Sequence, residues 1–385
     1  MRVLILSCNT GQGHNSAGSA VREELEAAGA ECELLDALSF ARGNTSKTVG
    51  GAYVSVTTKA PSLFGGLYQL GGLISNPWLK SPVYLANTRY AGALGDYIEK
   101  SGFDAVVCPH LFPAETLTCL RRKGRLSVKT YAVATDYTCI PFWEETELDA
   151  YFVPHEDLKR EFSGKGIPQE KLIPTGIPVS RRCLQKTPKA EARLLLGLPE
   201  QEKVFLVMTG SMGFGDISSF ALDLLLSCPK NSRILILTGR NAALKDRIDH
   251  DFSREKRVQT VAFTRNAPLY MDACDILLSK PGGLTSTEAA VQNIPLVHTR
   301  PIPGCETANA RFFVSHGLSV CAVHPKAAAL AAASLAEDTA ALQRMTECQK
   351  REINPNAAEE IAAIILSGDV PSNNAVSYTH LRAHE

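Results

Sequence analysis

The sequence predicts an α/β protein made of two Rossmann-like, doubly wound domains facing each other across a cleft, and three observations carry that prediction. The chain has 385 residues, more than one hydrophobic core usually organises. Short apolar runs alternate with amphipathic stretches in two separate series, as parallel βαβ units require. Several of these runs end in glycine-rich loops that lead into helical segments, the place where doubly wound folds bind ligands.

The first series covers residues 1–180. Apolar runs at 3–6, 31–35, 105–108, 130–134 and 151–153 read as strands, with a helix-like stretch over 17–28. Residues 44–97 interrupt it: Phe64, Leu67, Leu73 and Trp78 recur at near-helical spacing beside Lys59 and Lys80. Such a stripe fits either a helical excursion buried over the first sheet or an amphipathic surface that dips into a membrane. Residues 175–203, with Gly176, Ile177 and Pro178, read as the connection between domains. The second series, within 181–366, has runs at 204–208, 234–237, 258–263, 276–278 and 296–298. Residues 367–385 are expected to be an unstructured tail, and its end, SYTHLRAHE, resembles a translated sequencing adapter; His380 and His384 are not read as metal ligands.

Composition narrows the partners. With 45% hydrophobic and 21% charged residues the chain is that of a folded globular protein, and its 40 basic and 40 acidic side chains cancel. No whole-molecule field favours nucleic acid, so none is expected as a partner. The 11 cysteines form no C-x-x-C pair, which suits a reducing cytoplasm better than a disulfide framework or zinc site. The opening apolar run is too short for a signal-peptide core, and no stretch approaches the roughly 20 apolar residues of a membrane span. Any membrane attachment is therefore expected to be peripheral.

The candidate site residues stand at run ends. Ser279, Lys280, Pro281, Gly282 and Gly283 follow a strand and precede a helix, so free N–H groups and the helix dipole favour a diphosphate there. Glu288, one turn on, is placed to accept from ribose hydroxyls, or is an ordinary first-turn acid. The loop 209–215, TGSMGFG, repeats the arrangement, and two loops can grip one diphosphate. Near the N-terminus, Gly11, Gln12, Gly13 and His14 form a loop after the first run, with His14 at the tip of the strand; Ser16 stands where a dinucleotide fingerprint needs its third glycine, although Asp36 is at the distance of a ribose-binding acid. His14 instead reads as a base facing the cleft. Strand ends also present His110, read as a satisfied core histidine, and Thr135 and Asp136, read as cap or turn residues or as cleft-facing groups. Glu306 and Asn309 follow a glycine turn and suit sugar hydroxyls or a helix cap.

Taken in order, GQGH, ATDYT, FVPHEDL, PTGIPV, SKPGGLTSTEA and PIPGCETANA resemble the GT-B glycosyltransferases of the monogalactosyldiacylglycerol synthase and processive diacylglycerol glucosyltransferase family, over nearly the whole chain to about Leu366. The resemblance implies an inverting transfer of a hexose, glucose or galactose, from a UDP-sugar to diacylglycerol. It implies His14 as base, with Asp136 at the family's ATD position. Ser211, Gly282 and Gly283 are implied on the diphosphate, Glu288 on the ribose, Phe263 and Thr264 beside uracil, and Glu306 and Asn309 at the donor sugar. No D-x-D motif ends a strand, and loop amides can hold the leaving diphosphate, so no cofactor or catalytic metal is expected. The 44–97 segment becomes a membrane-docking and lipid-accepting region, on the inner face of the cell membrane. GQGH departs from the family's commoner triple glycine, and Cys139, Ile140 and Pro141 lack a histidine that plant-type members carry. The rival expectations are a UDP-GlcNAc-using enzyme of the same architecture, either a lipid-linked GlcNAc transferase or an epimerase, and a non-enzymatic UDP-sugar sensor.

Overall fold

The computed structural model describes residues 1–9, 12–41, 80–210 and 216–369. The first sheet holds β1 (Arg2–Ser7), β2 (Glu31–Asp36), β3 (Ala105–Cys108), β4 (Lys129–Val133), β5 (Ala150–Phe152) and β6 (Leu172–Ile173), in spatial order β2-β1-β3-β4-β5-β6. The second holds β7 (Lys203–Met208), β8 (Ser232–Gly239), β9 (Val258–Ala262), β10 (Ile276–Ser279), β11 (Leu296–Thr299) and β12 (Val320–Ala322), in order β12-β11-β10-β7-β8-β9. Every pairing is parallel. Strands such as β1 and β10 are buried on both faces by crossover helices, which is why they read as unbroken apolar runs.

All the expected strands form, and two further ones do too. β6 and β12 are edge strands of two and three residues, too short to leave a periodic signal. The described part of the 44–97 segment folds inward: Ser81 caps the helix Pro82–Asn87 by accepting from the Tyr84 N–H at 3.0 Å, and Tyr84, Tyr90 and Leu94 are buried in the core. Phe64, Leu67, Leu73 and Trp78 lie outside the described residues. Among the described residues, no helix is long and apolar enough to cross a membrane.

One element departs from the expected division at 181–366. The last described helix, Ala357–Ser367, returns to the first sheet, where Ile361 and Ile365 are fully buried with Val3, Ile5, Val21 and Leu25. The outer face of helix α1 (Gln12–Ala27) leaves an apolar stripe that this Ala- and Ile-rich helix covers. The chain thus crosses between domains twice, and the crossings touch. Gly176 has φ +100°, a Cβ there would lie 3.2 Å from the Ala357 Cβ, and Asn354 Nδ2 donates to the Thr175 carbonyl at 2.9 Å.

Candidate active site

The carboxyl ends of the two sheets meet, and what they bring together begins with His14 on the first turn of α1. Its Nδ1 lies 2.9 Å from the Pro109 carbonyl and 2.9 Å from the Thr135 hydroxyl. A carbonyl only accepts, so Nδ1 carries the proton and Nε2 of the neutral ring keeps a lone pair. Burial pulls the His14 pKa below its usual value, while Asp136 and the Pro109 carbonyl pull the other way. The ring is therefore neutral at neutral pH, the form a base needs. Thr135 serves neither as cap nor as turn residue; its hydroxyl holds the histidine.

His110 is the satisfied buried histidine the sequence suggests. Its Nδ1 accepts from the Phe112 N–H at 3.1 Å and caps the helix Leu111–Arg122, and burial, then His14, holds its pKa well below the usual range. The two rings meet edge-on at 4.5 Å.

The opposite wall is the helix Gly283–Val291, which starts directly after β10 with Gly282 as N-cap. Gly283 is buried, and a Cβ there would fall 1.9 Å from the Thr135 carbonyl oxygen. Only glycine permits the domains to close to this distance. The register pairs Ser279 with Met208, so the loops after β10 and β7 emerge side by side. Gly210, at φ +71°, lies against Lys280. Ser211 and the remainder of its loop to Gly215 lie outside the described residues.

Glu288 is half-buried, and no side-chain hydrogen bond holds its carboxyl among the described residues. Burial pushes its pKa up to about 7. Glu306 is committed within its own domain: Oε1 pairs with Lys280 Nζ at 2.8 Å, and Oε2 accepts from the Ile302 N–H at 2.8 Å. Asn309, fully buried, does not face an open sugar corner in this closed arrangement. Its Oδ1 accepts from the Tyr137 N–H at 2.6 Å, and Nδ2 donates to Asp136 Oδ1 at 2.8 Å and to the Pro281 carbonyl at 3.0 Å. Both amide hydrogens are thereby engaged across the interdomain seam. Asp136 accordingly holds Asn309 and sits within electrostatic reach of His14.

Phe263 is 54% exposed on the loop after β9, with the Arg240 guanidinium 4.8 Å over its ring, and Thr264 Oγ1 accepts from the Asn266 N–H. β9 is three strands from β10, about 14 Å at ordinary strand spacing, so these residues stand well apart from the glycine loops. Sequence reasoning missed Tyr137, whose hydroxyl lies 2.8 Å from Thr287 Oγ1 and whose ring stacks on Phe312 at 4.7 Å. A lone tyrosine after ATD is indistinguishable in sequence from an ordinary core aromatic.

Two doubly wound domains, with a buried histidine on one and a glycine-started helix on the other, define the GT-B fold. Residues 14–179 match the family model described as monogalactosyldiacylglycerol (MGDG) synthase, and residues 204–365 match the glycosyltransferase family 28 C-terminal domain. The chain is 24% identical over 380 residues to the processive diacylglycerol beta-glucosyltransferase of Bacillus pumilus, covering 97% of each. It is 27% identical to the same-named protein of Bacillus cytotoxicus over 69% of this chain and 68% of that one. By these matches the chain is similar, over nearly its whole length, to this family of GT-B glycolipid synthases. Among solved structures it is similar in fold to Acinetobacter baumannii MurG, with TM-score 0.62, 14% identity and coverage of 95% and 99%. It is also similar to Anabaena HepE in complex with UDP, with TM-score 0.59, 15% identity and coverage of 96% and 100%.

Proposed function

We propose that the protein is an inverting hexosyltransferase that moves glucose or galactose from a UDP-sugar to diacylglycerol at a membrane surface, without a catalytic metal. The observation that carries the reading is the neutral His14, whose Nε2 lone pair is left free by the Pro109 contact. It takes the proton from the acceptor hydroxyl as that oxygen attacks the anomeric carbon. The bond from that carbon to the diphosphate oxygen breaks, and UDP leaves with the electron pair. One direct displacement inverts the anomeric configuration. The N-terminus of the helix Gly283–Val291 stabilises the charge that develops on the leaving diphosphate, aided by Lys280. Glu288 accepts from the ribose hydroxyls, and the backbone beside Phe263 and Thr264 holds uracil. The names of the curated relatives support the acceptor, and the UDP bound in a fold neighbour supports the donor.

A screen of UDP-glucose, UDP-galactose and UDP-GlcNAc with diacylglycerol vesicles, read by mass spectrometry of the lipid, tests the reading. Hexosyl-diacylglycerol formed at the same rate with excess EDTA is the expected result. Turnover to a free sugar without vesicles would sink it, and abolition by EDTA would remove its metal-independent part.

A further inference from the structure

The residues FVPHEDL place His155 and Asp157 just beyond β5, and the reaction above makes no use of them. We infer that Asp157 and His316 are positioning residues, a carboxylate and imidazolium clasp between the domains that holds the helix Cys305–Ser315, with Glu306 and Asn309, against the end of β4. The kinetic part of its test rests on the proposed transferase reading; the structural part does not.

Hydrogen-bond logic sets the charge. His316 caps the C-terminus of the helix Cys305–Ser315 in the second domain, and its Nδ1 lies 2.9 Å from the Phe312 carbonyl, so Nδ1 bears a proton. Its Nε2 lies 2.9 Å from Asp157 Oδ2 in the first domain. An unprotonated nitrogen facing a carboxylate oxygen at that distance would set two acceptors against each other. The contact therefore requires the second proton, and the ring is an imidazolium. Asp157 answers in kind: the bond from His316 is the largest cause holding its carboxyl below the usual carboxylate range.

The other titratable group beside Asp157 is His155, whose Nδ1 lies 3.8 Å from Oδ2. Phe312 stacks on the His316 ring at 4.0 Å, and the Ser315 hydroxyl lies 3.2 Å from Nδ1. His155, 5.2 Å away between ring centres, accepts the Asp157 N–H on Nδ1 at 3.2 Å and turns Nε2 toward Glu352, 3.4 Å off. Burial first of all lowers the His155 pKa, so this ring is the neutral one. Glu352 is itself paired with Arg351 at 2.7 Å. The clasp also connects to the active-site seam, because Phe312 stacks on Tyr137 at 4.7 Å and the Tyr137 N–H donates to Asn309.

The sign follows. The pair exists only while the imidazole holds both ring protons, so raising the pH removes it. On the acid side Asp157 is depressed, so the pair persists until pH falls through a range below the usual carboxylate one.

Hydrogen exchange of the full chain, followed by mass spectrometry in EDTA-containing buffer and corrected for intrinsic rates, reads the clasp directly. The informative peptide spans Tyr137, whose amide bonds across the domains only when they are closed. Its protection should fall roughly threefold between about pH 6 and about pH 8 in the natural chain, the scale of an exposed ion pair. Asp157→Asn should give low protection at both values, His316→Arg high protection at both, and Asp157→Glu should restore the pH dependence. In the kinetic arm, KM for the UDP-sugar should rise with pH in the natural enzyme but not in Asp157→Asn. An unchanged pH dependence of Tyr137 protection in Asp157→Asn would overturn the inference. So would protection that appears with added zinc and is indifferent to pH. A failure to detect sugar transfer would count against the transferase reading and leave the exchange result standing.

Discussion

The two walls of the cleft are built on opposite plans. On the first-domain side His14 is held by Pro109 and Thr135, its tautomer is set, and burial keeps it neutral. On the second-domain side the groups expected on the donor are either without a protein partner, as Glu288 is among the described residues, or engaged with protein, as Glu306 and Asn309 are. Gly283 meets the Thr135 carbonyl where a diphosphate is expected. On the proposed reaction the base is thus preorganised, whereas the donor groups are held by the contact between the domains and have to be released to meet a ligand. Chemistry is written into one domain and closure into the contact between both.

The sharpest way to break this contrast is His14→Ala. On a preorganised wall the loss falls on the chemical step, so kcat should drop by about 10²–10⁴ with little change in UDP affinity. Stopped-flow nucleotide binding beside steady-state turnover separates the two. Turnover at the natural rate would remove His14 as the base.

Gly283→Ala attacks the other wall. The new methyl group cannot coexist with the Thr135 carbonyl 1.9 Å away, so the domains must stand further apart. A displacement of about 1 Å at the reacting centre costs on the order of 10² in kcat/KM, and solution scattering should report a larger radius of gyration. A natural radius with natural activity would show that this contact does not limit the reaction. Asn309→Ala is milder, since it leaves the Tyr137 N–H and Asp136 without a seam partner but introduces no clash. Unpairing buried groups costs about 1–3 kcal/mol, so kcat/KM should fall by about 10- to 100-fold, with faster exchange at Tyr137.

How much of this was readable beforehand follows the same division. Runs such as 3–6 and 276–278 were legible because strands buried on both faces must be apolar throughout. SKPGG and GQGH were legible because backbone approach and helix starts constrain residue type locally. The use of Asn309 was not, because its partner Asp136 lies 173 positions away in the other domain. For the same reason the sequence leaves Thr135 open between a cap or turn residue and a cleft-facing group: its partner His14 is 121 positions distant. The final helix Ala357–Ser367 carries an apolar stripe that fits either domain, and its partners Val3, Ile5, Val21 and Leu25 lie at the other end of the chain.

The smallest expected effect concerns Glu288, and it separates a ligand-binding acid from a merely tolerated one. Its folded-state pKa is raised by burial to about 7. A raised carboxyl costs the fold nothing below its unfolded value, an increasing amount as pH rises above that value, and the full amount once pH exceeds about 7. Glu288→Gln removes that charge, so its melting temperature should match the natural chain in acid and exceed it by roughly 2–4 °C at about pH 8. A carboxylate buried at a cost in stability needs a use, and hydroxyl donors from a ribose would supply one. UDP affinity should therefore fall about tenfold in the same variant, the scale of one hydrogen bond to a charged group. Stabilisation with unaltered UDP affinity would leave Glu288 as a tolerated acid beyond the helix's first turn and move the ribose contact elsewhere on the helix Gly283–Val291.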